Sequence, residues 1–300
     1  MNWLHPDLIP NGAAGPPLAL PTHSQKLMHA ITLGILAAAI ATPLATGTGK
    51  YVDSTGKVWN ELPKLSDYPS AEAFDARFAT EVFTTADGHR FQIDRPWTPQ
   101  EESYYRMLEG FIGQNAGNGS GNGLRATVTC THPVDEEYQA AFPNRSTLRR
   151  HVIDMVELAD NALESNWGIN LVPRKGYNWD SNDNGDIVDL LNEAYNEGGR
   201  LNGQDMMIAL SNDPTPGGAI GVAYLGLPRQ LVKKYGSQST EATICQHETG
   251  HTYTLQHCCD GNCVMQAFLD TGAFGNFHSY NESCSGQNHA NVMNNQRNRY

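Results

Sequence analysis

The segment from His247 to His257 (HETGHTYTLQH) constrains this chain more than any other part of it. Histidines four apart on a helix project from one face, one turn apart. That spacing lets two imidazoles take adjacent corners of a tetrahedral zinc site with bonds of about 2.0–2.1 Å. Glu248 stands beside the first of them, where its carboxylate can reach the fourth position. A short helix cannot supply a third corner from the same face. His257 supplies it only if the helix stops and the chain turns back. Three neutral imidazoles leave one position open, the mark of a catalytic zinc site rather than a structural one. A bare His-Glu-x-x-His arises by chance on exposed helices, and this chain has 11 histidines. The third histidine at a workable offset is what makes the pattern specific.

From about residue 124 the apolar pattern is legible. Ala126 to Cys130 reads as a strand. Ser146 is the expected N-cap of a helix whose residues Leu148, Val152, Met155, Val156, Ala159 and Leu163 recur at helical spacing. Gly168 stops that helix, and Ile169 to Val172 begins a second strand. A loop rich in Asp and Asn leads to a helix from about Asp186. Met206 to Leu210 is a continuous apolar run, as expected of a strand buried on both faces. Ala219 to Leu225 reads as a further strand. This order of elements describes an α/β (α+β) domain with helices packed on a twisted sheet.

Met265 lies eight residues beyond His257, within Cys263-Val264-Met265. With the three histidines it resembles the metzincin zinc metallopeptidases, whose extended zinc motif is followed by a methionine-containing turn under the metal. The resemblance reaches the reprolysin (adamalysin) group and runs from about Leu124 to Ser285. There the run Met206 to Leu210 and the segment Gly221 to Gly226 look like the strands ahead of the active-site helix. The resemblance implies a mostly parallel sheet with an edge strand over the cleft. It also implies one catalytic Zn2+ on His247, His251 and His257, and a protein or peptide substrate laid antiparallel along Gly221 to Gly226. Zinc would acidify water and polarise the scissile carbonyl, with Glu248 as general base and Met265 as a structural floor. Tyr253 is expected to be a packed aromatic.

The chain departs from the metzincin pattern at Thr254, where those proteins carry glycine. That position favours a residue tolerant of positive φ, which a β-branched side chain resists. His257-Cys258 and Cys263-Val264-Met265 also resemble the archaemetzincins, which complete a second, four-cysteine zinc site. Here Cys284 is present, but Gln287 stands where the last cysteine would be, leaving Cys259 or His278 as substitutes. Disulfides among Cys258, Cys259, Cys263 and Cys284 are the expected alternative, in unreadable connectivity. A catalytically silent binding module of the same fold is the reading from another class, and the intact His247, Glu248, His251 and His257 speak against it. Asp180 to Asp186 (DSNDNGD) matches the first half of a calcium loop. The twelfth position holds Leu191 instead of glutamate, so a helix-capping turn is favoured over Ca2+.

Residues 1–45 contain the only long apolar run, Leu27 to Ala45. Its core matches a signal-peptide h-region and is too short to span a membrane, so a secreted protein with no stable span in the mature chain is expected. Residues 46–112 are expected to be a pro-region or accessory region, 113–123 a Gly/Asn-rich linker and 124–300 the catalytic domain. Glu81 to Asp94 alternates about Asp87-Gly88, the signature of a hairpin with a type I′ turn, and a helix is expected from Glu101 to Ile112. If the N-terminal region inhibits, it cannot do so through a thiolate, because no cysteine precedes Cys130. An oxygen or histidine ligand is required, and Asp87 and His89 at the hairpin tip are the candidates. The 20 Lys and Arg against 32 Asp and Glu, a net charge of −12, exclude the basic footprint of a nucleic-acid binder.

Overall fold

The computed structural model describes residues 49–108, 125–215 and 218–300. The expected targeting segment and the Gly/Asn-rich linker lie outside them. The N-terminal part forms a small antiparallel sheet of β1 (Tyr51–Val52), β2 (Val58–Trp59), β3 (Phe83–Thr85) and β4 (Arg90–Phe91), in the order β2-β1-β3-β4. Strands this short contribute few ladder bonds, and packing holds the unit together. The rings of Phe78, Phe83 and Phe91 follow one another at 6.2 and 5.7 Å, with Phe78 supplied by α1 (Ala71–Phe78). The expected hairpin forms, but its turn is not type I′. Gly88 takes φ +87° while Asp87 keeps a negative φ. Thr85 and His89 flank a three-residue loop, with Gly88 as its left-handed residue. Next, α2 (Pro99–Leu108) starts with proline in its first turn, slightly earlier than expected.

The rest builds one five-stranded sheet. Its elements are β5 (Ala126–Val134), α3 (Glu136–Ala140), α4 (Arg145–Trp167), β6 (Ile169–Asn178), α5 (Ile187–Glu197), β7 (Met206–Ser211), β8 (Gly221–Ala223), β9 (Arg229–Lys233), α6 (Gln238–Thr252) and α7 (His289–Gln296). The order is β6-β5-β7-β9-β8, parallel except for β8, which runs antiparallel at the edge. The expected mixed α/β fold, with a mostly parallel sheet, an edge strand and an active-site helix, is the one observed.

The pattern of β7 shows how the layers form. Met206, Ile208 and Leu210 enter the cluster with α4 and α6, whereas Met207 and Ala209 enter the one with α5 and the N-terminal aromatics. Alternate residues of a strand face opposite sides. A strand covered on both faces therefore reads as an unbroken apolar run.

Three details depart from expectation. Asn144, not Ser146, caps α4, accepting from the Thr147 N–H at 2.9 Å; both residue types suit the position, and the helix takes the earlier one. Asp186 caps α5 with a full capping box, and the Lys50 ammonium sits 2.6 Å from Asp189 beside it. The third is β9, which the sequence reading did not anticipate. With Arg229 and Lys233 at its ends it does not look apolar, yet it lies between β7 and the edge strand. No helix among the described residues is long and apolar enough to cross a membrane.

The end of α6 governs everything downstream. Leu255 N–H donates to Gly250 O at 3.0 Å and Thr254 N–H to His251 O at 2.9 Å, the paired bonds of a Schellman turn. The residue that must be left-handed is Thr254, at φ +74°. Threonine thus adopts the geometry that glycine would take freely, at a cost of about 1–2 kcal/mol. Thr254→Gly should relieve this and lose part of the gain to the freer unfolded chain, leaving about 1 kcal/mol and a rise of about 2 °C in Tm. A thermal melt showing a lower Tm would mean that the threonine side chain contributes more than its backbone strain costs.

Candidate active site

Helix α6 starts at Ser237, whose side chain accepts from Thr240 N–H, and is buried from Thr240 to Thr252. A buried polar helix must have partners for its side chains. Gln246 donates to Ala159 O at 2.7 Å and accepts from Gly275 N–H at 2.7 Å, while Thr249 and Thr252 return their hydroxyls to helix carbonyls. This fixes which face looks outward into the cleft. His247 and His251 lie on that face, and the Schellman turn brings His257 back to them.

His247 Nε2 stands 3.0 Å from His251 Nε2 and 3.3 Å from His257 Nε2. Ligand atoms on a tetrahedral zinc with bonds of about 2.0–2.1 Å stand about 3.3–3.4 Å apart. Each ring uses its other nitrogen on a carbonyl. His247 Nδ1–H donates to Val264 O at 2.7 Å, His251 Nδ1–H to Leu255 O at 2.7 Å and His257 Nδ1–H to Ala79 O at 2.9 Å. A carbonyl only accepts, so these bonds leave each Nε2 as an unprotonated lone pair directed at the other two.

A carboxylate joins them. Asp94, just beyond β4, places Oδ1 3.0 Å from Nε2 of both His247 and His257. Three imidazole lone pairs and a carboxylate facing one another in a buried pocket repel unless a cation lies between them. The donor set fits a divalent metal, and N and O donors at this spacing suit zinc. Burial opposes ionisation of Asp94, yet His247 and His257 hold its carboxyl well below the usual range.

Glu248 is fully buried, and neither of its carboxylate oxygens has a hydrogen-bond partner. Burial, and then the charge of Asp94, push its carboxyl well above the usual range. Two glycines make this packing possible. A Cβ at Gly221 in β8 would come within 2.2 Å of Glu248 Oε1, and one at Gly250 within 2.5 Å of Met265 Sδ. The edge strand therefore touches the glutamate directly, and Met265 lies against the helix between the two histidines. Cys258 N–H donates to Met265 O at 2.8 Å, tying the methionine turn to the residue after His257.

The sequence-based candidates His247, Glu248, His251 and His257 are all brought together. Asp87 and His89 are not among them. Asp87 is held by the Thr85 hydroxyl, and His89 packs on Tyr224 at 4.9 Å. Tyr253 is buried against Tyr300. Asp94 was missed, although a signal existed. Phe91 and Ile93 are buried apolar residues, and alternation along the strand turns Gln92 and Asp94 to the opposite side, toward the histidines. Gln92 Oε1 accepts from His257 N–H at 2.8 Å.

The cysteines divide in two. Cys259 and Cys284 form a disulfide with Cα atoms 5.7 Å apart. Cys258 and Cys263 are free and buried, and their sulfurs lie with a nitrogen of His278 inside 4.8 Å of one another. A bond from Cys258, helped by His289, pulls the Cys263 thiol down to about 4, so it stands as a thiolate. The disulfides expected across all four cysteines thus reduce to one.

No curated protein sequence matches the chain. Among solved structures, one described as a chaperone-substrate complex shares 14% identity over 73% of this chain, with a TM-score of 0.42. The match spans only 36% of that longer chain. Metalloproteinase-II from Bacteroides fragilis shares 12% identity over 66% of this chain and 72% of its own, with a TM-score of 0.40. A reprolysin-type profile, described as metallo-peptidase family M12, matches residues 125–300. That stretch carries the whole five-stranded sheet, α6 and the methionine turn, and the chain belongs to metallo-peptidase family M12.

Proposed function

We propose that this metallopeptidase is a zinc endopeptidase in which His247, His251 and His257 hold the metal and Glu248 is the general base. The observation that carries this reading is the convergence of three Nε2 lone pairs, each oriented by a carbonyl on its other nitrogen. When bound, zinc supplies Lewis acidity toward water and the scissile carbonyl. Glu248 then holds and moves one proton, taking it from water and delivering it to the leaving amine. Its raised pKa suits that task, because a base must also give the proton back. Strand β8 would line up a peptide through its free backbone groups, next to Glu248. A secreted location is proposed on the apolar run at residues 27–45, with the Cys259–Cys284 disulfide in keeping with an oxidising compartment.

One observation favours a second metal of structural type. The two free cysteines and His278 supply three ligand atoms in one buried place, where a secreted protein would otherwise pair its thiols. Zinc there would be lost on Cys263→Ser and unaffected by His257→Ala.

Metal analysis tests the first assignment. The purified protein should hold about one zinc equivalent that His257→Ala releases, whatever the cysteine cluster holds. Unchanged zinc affinity in that variant would remove His257 from the ligand set.

Glu248→Gln should keep the metal and the fold while lowering peptide hydrolysis by about 10²–10⁴-fold. Gly221→Ala should act in the same direction by displacing the Glu248 carboxylate, with zinc content unchanged. Undiminished turnover in Glu248→Gln would assign the proton transfer to another group.

A further inference from the structure

Residues 90–94 lie along the free edge of β8, where a peptide substrate would bind. Phe91 pairs antiparallel with Tyr224, Leu225 N–H donates to Arg90 O at 2.8 Å and Ile220 N–H donates to Asp94 O at 3.3 Å. The edge is therefore already augmented by a strand of the same chain. That strand is anchored on both sides of Asp94. Before it, Phe91 is buried in the aromatic cluster and Gln92 bonds the His257 backbone. After it, Arg95 is buried and forms paired bonds to both Asp75 and Glu101, and the Trp97 indole N–H reaches Leu269 O at 2.6 Å.

We infer that Asp94 is the fourth ligand of the metal held by His247, His251 and His257, and that the chain in one piece is a latent enzyme closed by its own strand. The inference rests on the zinc reading above. A three-histidine site works only if its fourth position admits water or substrate, and the Asp94 carboxylate occupies the space facing two of the three imidazoles. Asp94 and Glu248 line the same small space, so the base has no room for the water it would deprotonate. What the strand presents to the site is a carboxylate rather than a peptide carbonyl. The segment therefore mimics a substrate along its backbone and offers no bond to cleave.

The test uses the full chain loaded with cobalt in place of zinc, comparing wild type, Asp94→Asn and Asp94→Ala. With the carboxylate bound, the wild-type visible spectrum should be insensitive to pH around neutrality and to acetohydroxamate, a small bidentate metal ligand. Both variants should gain a solvent ligand that ionises near pH ~7 and is displaced by acetohydroxamate. Hydrolysis by the zinc-loaded variants should rise about tenfold or more, as expected when a closed form outweighs the open one by that ratio. A wild-type spectrum that titrates near neutrality and shifts with acetohydroxamate would overturn the inference, and this measurement needs no variant to fold. Failure of the zinc reading itself looks different. In that case the wild type binds no stoichiometric metal, or His257→Ala retains it.

Discussion

Four electron-rich groups are forced to face one another in a pocket with almost no water. Left to themselves, the Nε2 atoms of His247, His251 and His257 and the Asp94 carboxylate would separate or take up protons. The surrounding structure prevents both. Three carbonyls, from Val264, Leu255 and Ala79, take the proton-bearing side of each ring and so fix its tautomer and its plane. The buried polar helix, the Schellman turn, the methionine turn and the N-terminal sheet each provide one part of that arrangement. A single cation resolves the conflict among the four groups.

The sequence was most informative where chemistry and periodicity coincide. His247, Glu248, His251 and His257 could be placed because helical spacing and zinc geometry admit few alternatives. Strand β7 could be placed because a strand buried on both faces has no polar face. Strand β9 could not be placed. Its ends are Arg229 and Lys233, and their burial depends on long-range partners such as the rings of Tyr195 and Tyr224 over Arg229. The connection between Asp94 and the histidines was hidden for a similar reason. More than 150 residues separate them, and nothing local marks one aspartate in a hairpin as different from its neighbours.

Thr254 shows how a departure from a family pattern can leave the geometry intact. The turn keeps its paired hydrogen bonds with a β-branched residue in the left-handed region, because His257 must return to the metal. Backbone strain is commonly retained where the surrounding structure leaves no other arrangement. Here the constraint is the position of the third imidazole, and the residue that bears it touches no reacting group.

The hydrogen bond from His257 Nδ1 to Ala79 O has a consequence for how such a protein could be switched on. Ala79 belongs to the same N-terminal unit as Asp94, so that unit both obstructs the metal and orients one of its ligands. Orienting partners of this kind are commonly worth about 10–100-fold in metal affinity. Excising the whole unit would open the site and loosen its hold on the ion together. Shifting only the stretch around Asp94, while Ala79 stays in place, would open it without that loss. The geometry thus favours a hinge over a discarded segment, and it ties the retention of the metal to the retention of its own inhibitor.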